Sequence, residues 1–228
     1  MISTESIQFL KELRLNNNRS WFDDNRYRYE KLKAEQLQLA SDLLDAIVKF
    51  DPALEQLEAK DCIFRIYRDI RFSKDKTPYK THISVILKSG GKNSQWSGYY
   101  LHIEEGQSFA GGGVWMPERL QLHKIRREIH FFHDELKTIL EDRDFKKLFA
   151  GFDKDPGAQL SRPPKGYDAN DPAIEYLKLK SFTVTTPLRD DLITSPDLIK
   201  VVADIFRTIY PLQRFLNRAL ASDENGGI

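Results

Sequence analysis

The hydrophobic period of this chain changes near Cys62, and that change limits it to folds that combine helices with an antiparallel sheet. Residues 3 to 15 have helical spacing, with Ser3 or Thr4 as cap and Ile7, Leu10 and Leu13 on one face. Asn16, Asn17 and Asn18 break that helix, because asparagine competes for backbone groups through local side-chain bonds. Ser20 is the expected cap of a long helix to about Phe50, with Tyr29, Leu32, Leu39, Leu43, Ile47 and Phe50 recurring at helical steps. Asp51-Pro52 ends it. From Cys62 alternation takes over: Phe64, Ile66, Ile70 and Phe72 share one face of an expected strand, and Arg65, Tyr67, Asp69 and Arg71 share the other. Arg68 breaks the alternation by falling on the apolar face. Lys74 to Pro78 is a turn. Ile83, Val85 and Leu87 mark a second strand, and Tyr99, Leu101 and Ile103 a third, alternating with Tyr100, His102 and Glu104. A fourth strand ends at Gly111, Gly112 and Gly113. The short connections predict an antiparallel meander.

Pro117 opens a further helix with the apolar stripe Leu122, Ile125, Ile129, Phe132, Leu136 and Ile139. Residues 150 to 172 read as loop, and 181 to 186 as a strand. The last helix starts at Ser195-Pro196, and Pro211 bends or ends it. The fold class is therefore α+β, an antiparallel sheet of about five strands packed against several helices. A chain of 228 residues is long enough to bury one sizeable core, so a single domain over 1–221 is expected, with 222–228 as a disordered tail.

Composition narrows the function classes. The N-terminus lacks a basic segment followed by an apolar run, and no apolar stretch approaches the roughly 20 residues that span a bilayer, so neither secretion nor membrane insertion is expected. One cysteine, Cys62, leaves no internal disulfide and no multi-cysteine metal site, which fits the cytoplasm. A net charge of +1 argues against a dedicated nonspecific DNA binder.

Against that near-neutral background, Phe64 to Lys80 is strongly basic. Arg65, Arg68, Arg71, Lys74, Lys76 and Lys80, with Lys60 just before, face only Asp69 and Asp75. Guanidinium groups flanking Tyr67 suit a planar carboxylate or a phosphate. An arginine on an apolar face needs a partner, and Asp23 or Asp24 of the second helix is the expected one for Arg68. Gly111, Gly112 and Gly113 before a helix start form a second anion-site element, because glycine admits close backbone approach. The basic turn lacks the glycines of a phosphate-binding loop, the glycine run is no dinucleotide fingerprint, and the cofactor stays unassigned. His123, Arg126, Arg127 and His130 form a polar helix stripe, read as a solvated face. His130 and His133 lack a carboxylate at ligand spacing, so no metal site is assigned.

Several ordered blocks together resemble one family, the domain of unknown function 2461: NNNRSWFDDNR at 16–26, FRIYRDIRFSKDKTPYK at 64–80, GYYLHIEEGQSFAGGGVWMPE at 98–118, RPPKGYD and YLKLKSF. The resemblance implies a whole-chain boundary and carries over no catalytic role. The leading expectation is a cytoplasmic protein that binds an anionic small molecule through Arg65, Tyr67, Arg68, Arg71, Lys74, Lys76, Lys80 and Gly111 to Gly113. The first alternative is an enzyme in which His102, Glu104 or Asp69 acts as general acid or base. The second is an interaction module for protein or, less favoured, nucleic acid.

Overall fold

Three consecutive asparagines end and restart the N-terminal helices. The structure, a computed structural model, describes residues 1–154 and 157–222. Helix α1 (Thr4–Leu15) is capped by the Ser3 side chain, which accepts from the Ser6 N–H at 3.2 Å. It stops at Asn16, whose side-chain amide donates to the Glu12 carbonyl at 3.0 Å. Asn18, and not Ser20, caps the next helix by accepting from the Trp21 N–H at 3.1 Å. The expected single helix to Phe50 is two, α2 (Arg19–Asp24) and α3 (Arg26–Ile47), because Asn25 leaves helical geometry and donates back to the Trp21 carbonyl at 2.9 Å. The predicted apolar face of α3 holds, with Leu32, Leu39, Leu43 and Ile47 fully buried.

The segment 64–72 is not a strand, which corrects the expected first strand. Ile63 pairs with Val85 and Tyr67 with Tyr79 as isolated antiparallel bridges. Between the bridges one chain advances four residues (63 to 67) and the other six (79 to 85), so the register slips by two and no continuous ladder forms. The sheet therefore has four strands and not five: β1 (Ile83–Leu87), β2 (Gly98–Ile103), β3 (Phe109–Val114) and β4 (Phe182–Pro187), in the order β1-β2-β3-β4 and antiparallel. The alternation read from β2 is realised: Tyr99, Leu101 and Ile103 are at most 1% exposed, while Tyr100 and His102 on the opposite face are half-buried.

The remaining helices among the described residues are α4 (Arg119–Phe131), α5 (His133–Glu141), α6 (Arg143–Leu148), α7 (Ile174–Leu177), α8 (Asp190–Ile193) and α9 (Leu198–Ala221). Helix α4 starts two residues after Pro117, with Glu118 as cap and Gln121 bonding back to it at 2.8 Å. The stripe predicted from Leu122 to Ile139 is interrupted at Phe132, which has non-helical dihedrals and is 48% exposed. Pro211 sits inside α9 without ending it. The expected tail lies outside the described residues from 223 onward. Ser222 itself is buried, and its hydroxyl donates to the Ala219 carbonyl at 2.8 Å.

The chain divides into two compact units. The first comprises Met1–Lys92, Tyr100–Ala110 and Pro187–Asp204. Its core gathers Phe9, Leu13, Phe22, Leu32 and Leu39, and Gln36 of α3 donates to the Ser84 carbonyl of β1 at 3.0 Å. The second comprises Asn93–Tyr99, Gly111–Thr186 and the chain from Ile205 on. There the fully buried Gln213 of α9 donates to the Gly98 carbonyl at 2.6 Å and is paired with the Ser97 hydroxyl. No helix of the described residues is long and apolar enough to cross a membrane.

The glycine run of β3 sets how closely its neighbours approach. A Cβ at Gly111 would meet the Val184 carbonyl oxygen at 2.2 Å, and one at Gly112 the Gln213 amide nitrogen at 2.5 Å. Gly113 has φ +124°, and its Cβ would meet the Phe182 carbonyl oxygen at 2.0 Å. Gly106 has φ +70° but nothing within 4 Å. Gly106→Ala is therefore expected to cost only backbone strain, about 1–2 kcal/mol. Gly113→Ala adds overpacking of about 1–3 kcal/mol, so urea unfolding midpoints should fall clearly further for Gly113→Ala than for Gly106→Ala.

Candidate functional site

The basic stretch is held by aromatic packing and by one amide side chain. Asn17 donates to the Tyr79 carbonyl at 2.9 Å and accepts from the Tyr79 N–H at 3.0 Å. Tyr79, 4% exposed, stacks on Phe22 with ring centroids 3.9 Å apart and planes at 13°. Tyr67 leans on both rings, 6.1 Å from Phe22 and 5.5 Å from Tyr79. Backbone bonds from Arg68 to Pro78 and from Lys80 to Ile66, at 2.9 and 2.8 Å, close the loop between them.

This loop and the start of the helical region wall a pocket of about 360 Å³. Arg19, Asp23 and Arg26 line it from the helices, and Tyr67, Arg68, Ile70, Pro78 and Tyr79 from the loop. The wall carries three guanidinium groups against one carboxylate. Arg26 donates to Asp23 at 2.6 Å and lies over the Phe22 ring at 5.7 Å. Its hydrogen bonds to Asp23 and Tyr67 hold its pKa above the ordinary value. Arg19 is exposed and makes no ion pair among the described residues.

Arg68 does not pair with Asp23 or Asp24. It is half-buried and donates to Asp75 at 2.5 Å, to the Thr77 carbonyl at 3.1 Å and to the Thr77 hydroxyl. The Thr77 N–H and Arg68 together hold the Asp75 carboxyl down at about 2. Of the other expected ligand residues, Arg71 is 76% exposed and bound through two atoms to Asp69, at 3.0 and 2.7 Å. That contact pulls Asp69 to about 2, so its carboxyl carries no proton at neutral pH and cannot serve as a general acid there. Lys76 donates to the Ile70 carbonyl at 2.9 Å, and Arg65 and Lys74 are exposed. Lys80 is half-buried over the Phe64 ring at 5.2 Å, where burial, then the charge of Arg65, lowers its pKa. None of Arg65, Arg71, Lys74, Lys76 or Lys80 lines the pocket, and neither do Gly111, Gly112 and Gly113, whose close neighbours are β4 and α9.

A second cluster lies on the half-buried face of β2, also within the first unit. The His102 ring and Glu104 share a face because they are two residues apart on an extended chain, and Nε2 and Oε2 are 3.2 Å apart. His82, just before β1, brings its ring to 4.4 Å from that of His102, and Phe109 stacks on His102 from 4.9 Å. The other oxygen of Glu104 accepts from Arg14 and from the Thr81 hydroxyl, each at 3.1 Å. Burial alone would raise the Glu104 carboxyl, but the bonds from His102 and Thr81 outweigh it and hold it below the ordinary range. Burial, aided by the neighbouring charge of His102, lowers His82 to about 4. His102 and Glu104 were legible in the sequence. Alternation also put His82 on the sheet face of His102 and Glu104, but that its ring meets theirs depends on strand pairing.

Other sequence candidates have local roles. The stripe His123, Arg126, Arg127 and His130 is not wholly a solvated face: Arg126 is half-buried and donates to the Leu179 carbonyl at 3.1 Å. His130 contacts the buried Asp171 at 2.5 Å. Cys62 is fully buried, its thiol directed at the Glu58 carbonyl and pushed up to about 12 by burial.

A comparison with protein-family models matches residues 5–215 to the model described as conserved hypothetical protein (DUF2461). Searches of curated proteins and of solved structures return no match.

Two outcomes follow from this geometry. Asn17→Ala leaves the Tyr79 backbone pair without its partner and is expected to cost about 1–3 kcal/mol, read as a lower urea midpoint with the fold retained. The Cys62 thiol should resist iodoacetamide at pH 8 in the native protein and react on unfolding in denaturant, because only the thiolate is nucleophilic; fast labelling of the native chain would show that the site opens.

Proposed function

The chain belongs to the family of conserved hypothetical proteins DUF2461, and from its own residues we propose that it binds an anionic, phosphate- or carboxylate-bearing small molecule in the pocket formed by Arg19, Arg26, Arg68, Tyr67 and Tyr79. One observation carries this reading. Three guanidinium groups wall a space of about 360 Å³, Arg26 paired with Asp23, Arg68 with Asp75 and Arg19 with no carboxylate among the described residues, and that volume is within the usual range for small-molecule sites of about 300–1,000 Å³. Arginine presents a planar fork of donors that matches both anion classes. Arg19 keeps its charge unpaired among the described residues, so an incoming anion need not displace a carboxylate from it. The two phenols add donors and ring surface beside the guanidiniums. The binding role falls to the arginines that line the pocket, with Tyr67, and not to Arg65, Arg71, Lys74, Lys76 or Lys80, which lie outside its lining. A cytoplasmic setting is part of the proposal and is supported by the single cysteine, which is free and buried.

Acid–base catalysis by His102 and Glu104 is the second reading. Their 3.2 Å contact meets the geometric requirement for proton transfer within a pair.

The test is a thermal-shift screen against inorganic phosphate, nucleotides, sugar phosphates, dicarboxylates and short oligonucleotides. A ligand at about 100 times its dissociation constant adds about 2.7 kcal/mol of stability. The expected result is a shift from a phosphate or carboxylate that Arg19→Ala and Arg26→Ala each reduce by tenfold or more in affinity, while Arg71→Ala leaves it unchanged. A shift that persists in both pocket variants, or none from any anion, would reject the proposal. A response confined to oligonucleotides would favour a nucleic-acid interface instead.

A further inference from the structure

We propose that His82, His102 and Glu104 form a binding site for a divalent first-row transition metal, of the two-histidine, one-carboxylate kind. Among the described residues this is the only group of three such side chains whose ligand atoms all lie within 4.8 Å of one another. It is independent of the arginine pocket, sharing none of its lining residues.

The donor set is chemically suited to such an ion. Two imidazole nitrogens and one carboxylate oxygen, without thiolate, are the ligands that zinc and ferrous iron accept, and three protein ligands leave positions open for water or substrate. The His102 Nε2 to Glu104 Oε2 distance of 3.2 Å is already that of two ligands on one ion, since metal bonds of about 2.1 Å place adjacent ligands roughly 3.0–3.4 Å apart. His82 is the side chain that must close in.

The surroundings orient the ligands as a metal site requires. A ligating carboxylate is ordinarily held by hydrogen bonds to its other oxygen, and Oε1 of Glu104 accepts from Arg14 and Thr81 while Oε2 faces His102. Phe109, stacked at 14° to the His102 ring, fixes the plane of that imidazole. The side chains of His102 and Glu104 are 12% and 16% exposed, so the site is shielded without being sealed. His130 and His133, three residues apart but on α4 and α5, each contact an aspartate of their own.

The test uses the full chain, stripped with chelator and titrated with Zn²⁺ and with Co²⁺. One ion per chain is expected, with a Co²⁺ visible spectrum of low coordination number. His82→Ala, His102→Ala and Glu104→Gln should each weaken affinity at least 100-fold, and Arg14→Ala, which removes only a positioning contact, by about 10-fold. His130→Ala should change nothing. If a ligand variant fails to fold, X-ray absorption on the zinc-loaded, unaltered protein decides the matter: two imidazoles and one carboxylate on zinc support the site, and any other set overturns it. Absence of stoichiometric binding, or binding that survives all three ligand substitutions, also overturns it.

Discussion

The side-chain amide of Asn17 does for the segment around Tyr79 what a neighbouring strand does elsewhere in the sheet. It offers one donor and one acceptor to the same residue's carbonyl and N–H, the pattern of a hydrogen-bonded pair in an antiparallel ladder. Tyr79 is thereby pinned to the turn between α1 and α2, and its ring is laid flat on Phe22. The two-residue register slip denies the basic loop a continuous ladder with the 79–85 segment, so the Asn17 pair adds to the two backbone bonds that close it. The pocket between the arginines depends on this arrangement, since Tyr79 is part of its wall.

The loop's charges divide into those spent on each other and those that remain available. Arg71 and Asp69 neutralise one another in solvent, as do Arg68 and Asp75 at the turn, where Thr77 completes the contact. An exposed pair such as Arg71 and Asp69 contributes little to stability, about 0–1 kcal/mol, but both pairs remove charge from the surface that a ligand would meet. A basic run in sequence is therefore a poor measure of basic surface. Of the three guanidiniums that line the pocket, the one without an ion-pair partner among the described residues is Arg19, which lies outside the run altogether.

Much of the architecture was legible because local rules agree with the tertiary ones. The alternation of Tyr99, Leu101 and Ile103 against Tyr100 and His102 reports a sheet with one buried face, and that is what forms. The leucines of α3 report their helix equally well. Legibility failed at the breaks. Asn25 and Phe132 interrupt apolar stripes that continue smoothly in sequence, since helical period by itself cannot register one residue leaving helical dihedrals. It failed again at 64–72, where alternating side chains satisfy the strand pattern although the backbone lacks a partner in register. Of the half of the site contributed by Arg19, Asp23 and Arg26, the sequence offered Asp23 as a partner for Arg68 and Arg26 as a residue able to line a cleft, whereas Arg19 was hidden because it reads as an ordinary surface charge.

By itself the sequence determined the class of fold, the buried faces of two of the four strands, the breaking of the first helix at the asparagines, and the unusual concentration of charge before Lys80. These properties depend on contacts between residues close along the chain, where periodicity and capping chemistry are sufficient. Only the tertiary structure decided that Arg68 turns to Asp75, that Gly111 to Gly113 yield their space to β4 and α9, and that His82 meets His102 and Glu104. Each of those is a meeting of residues distant in sequence or a choice among several equally suitable partners. Such choices are settled by strand register and by the volume left once the core has packed, and neither quantity is written in any local stretch of residues.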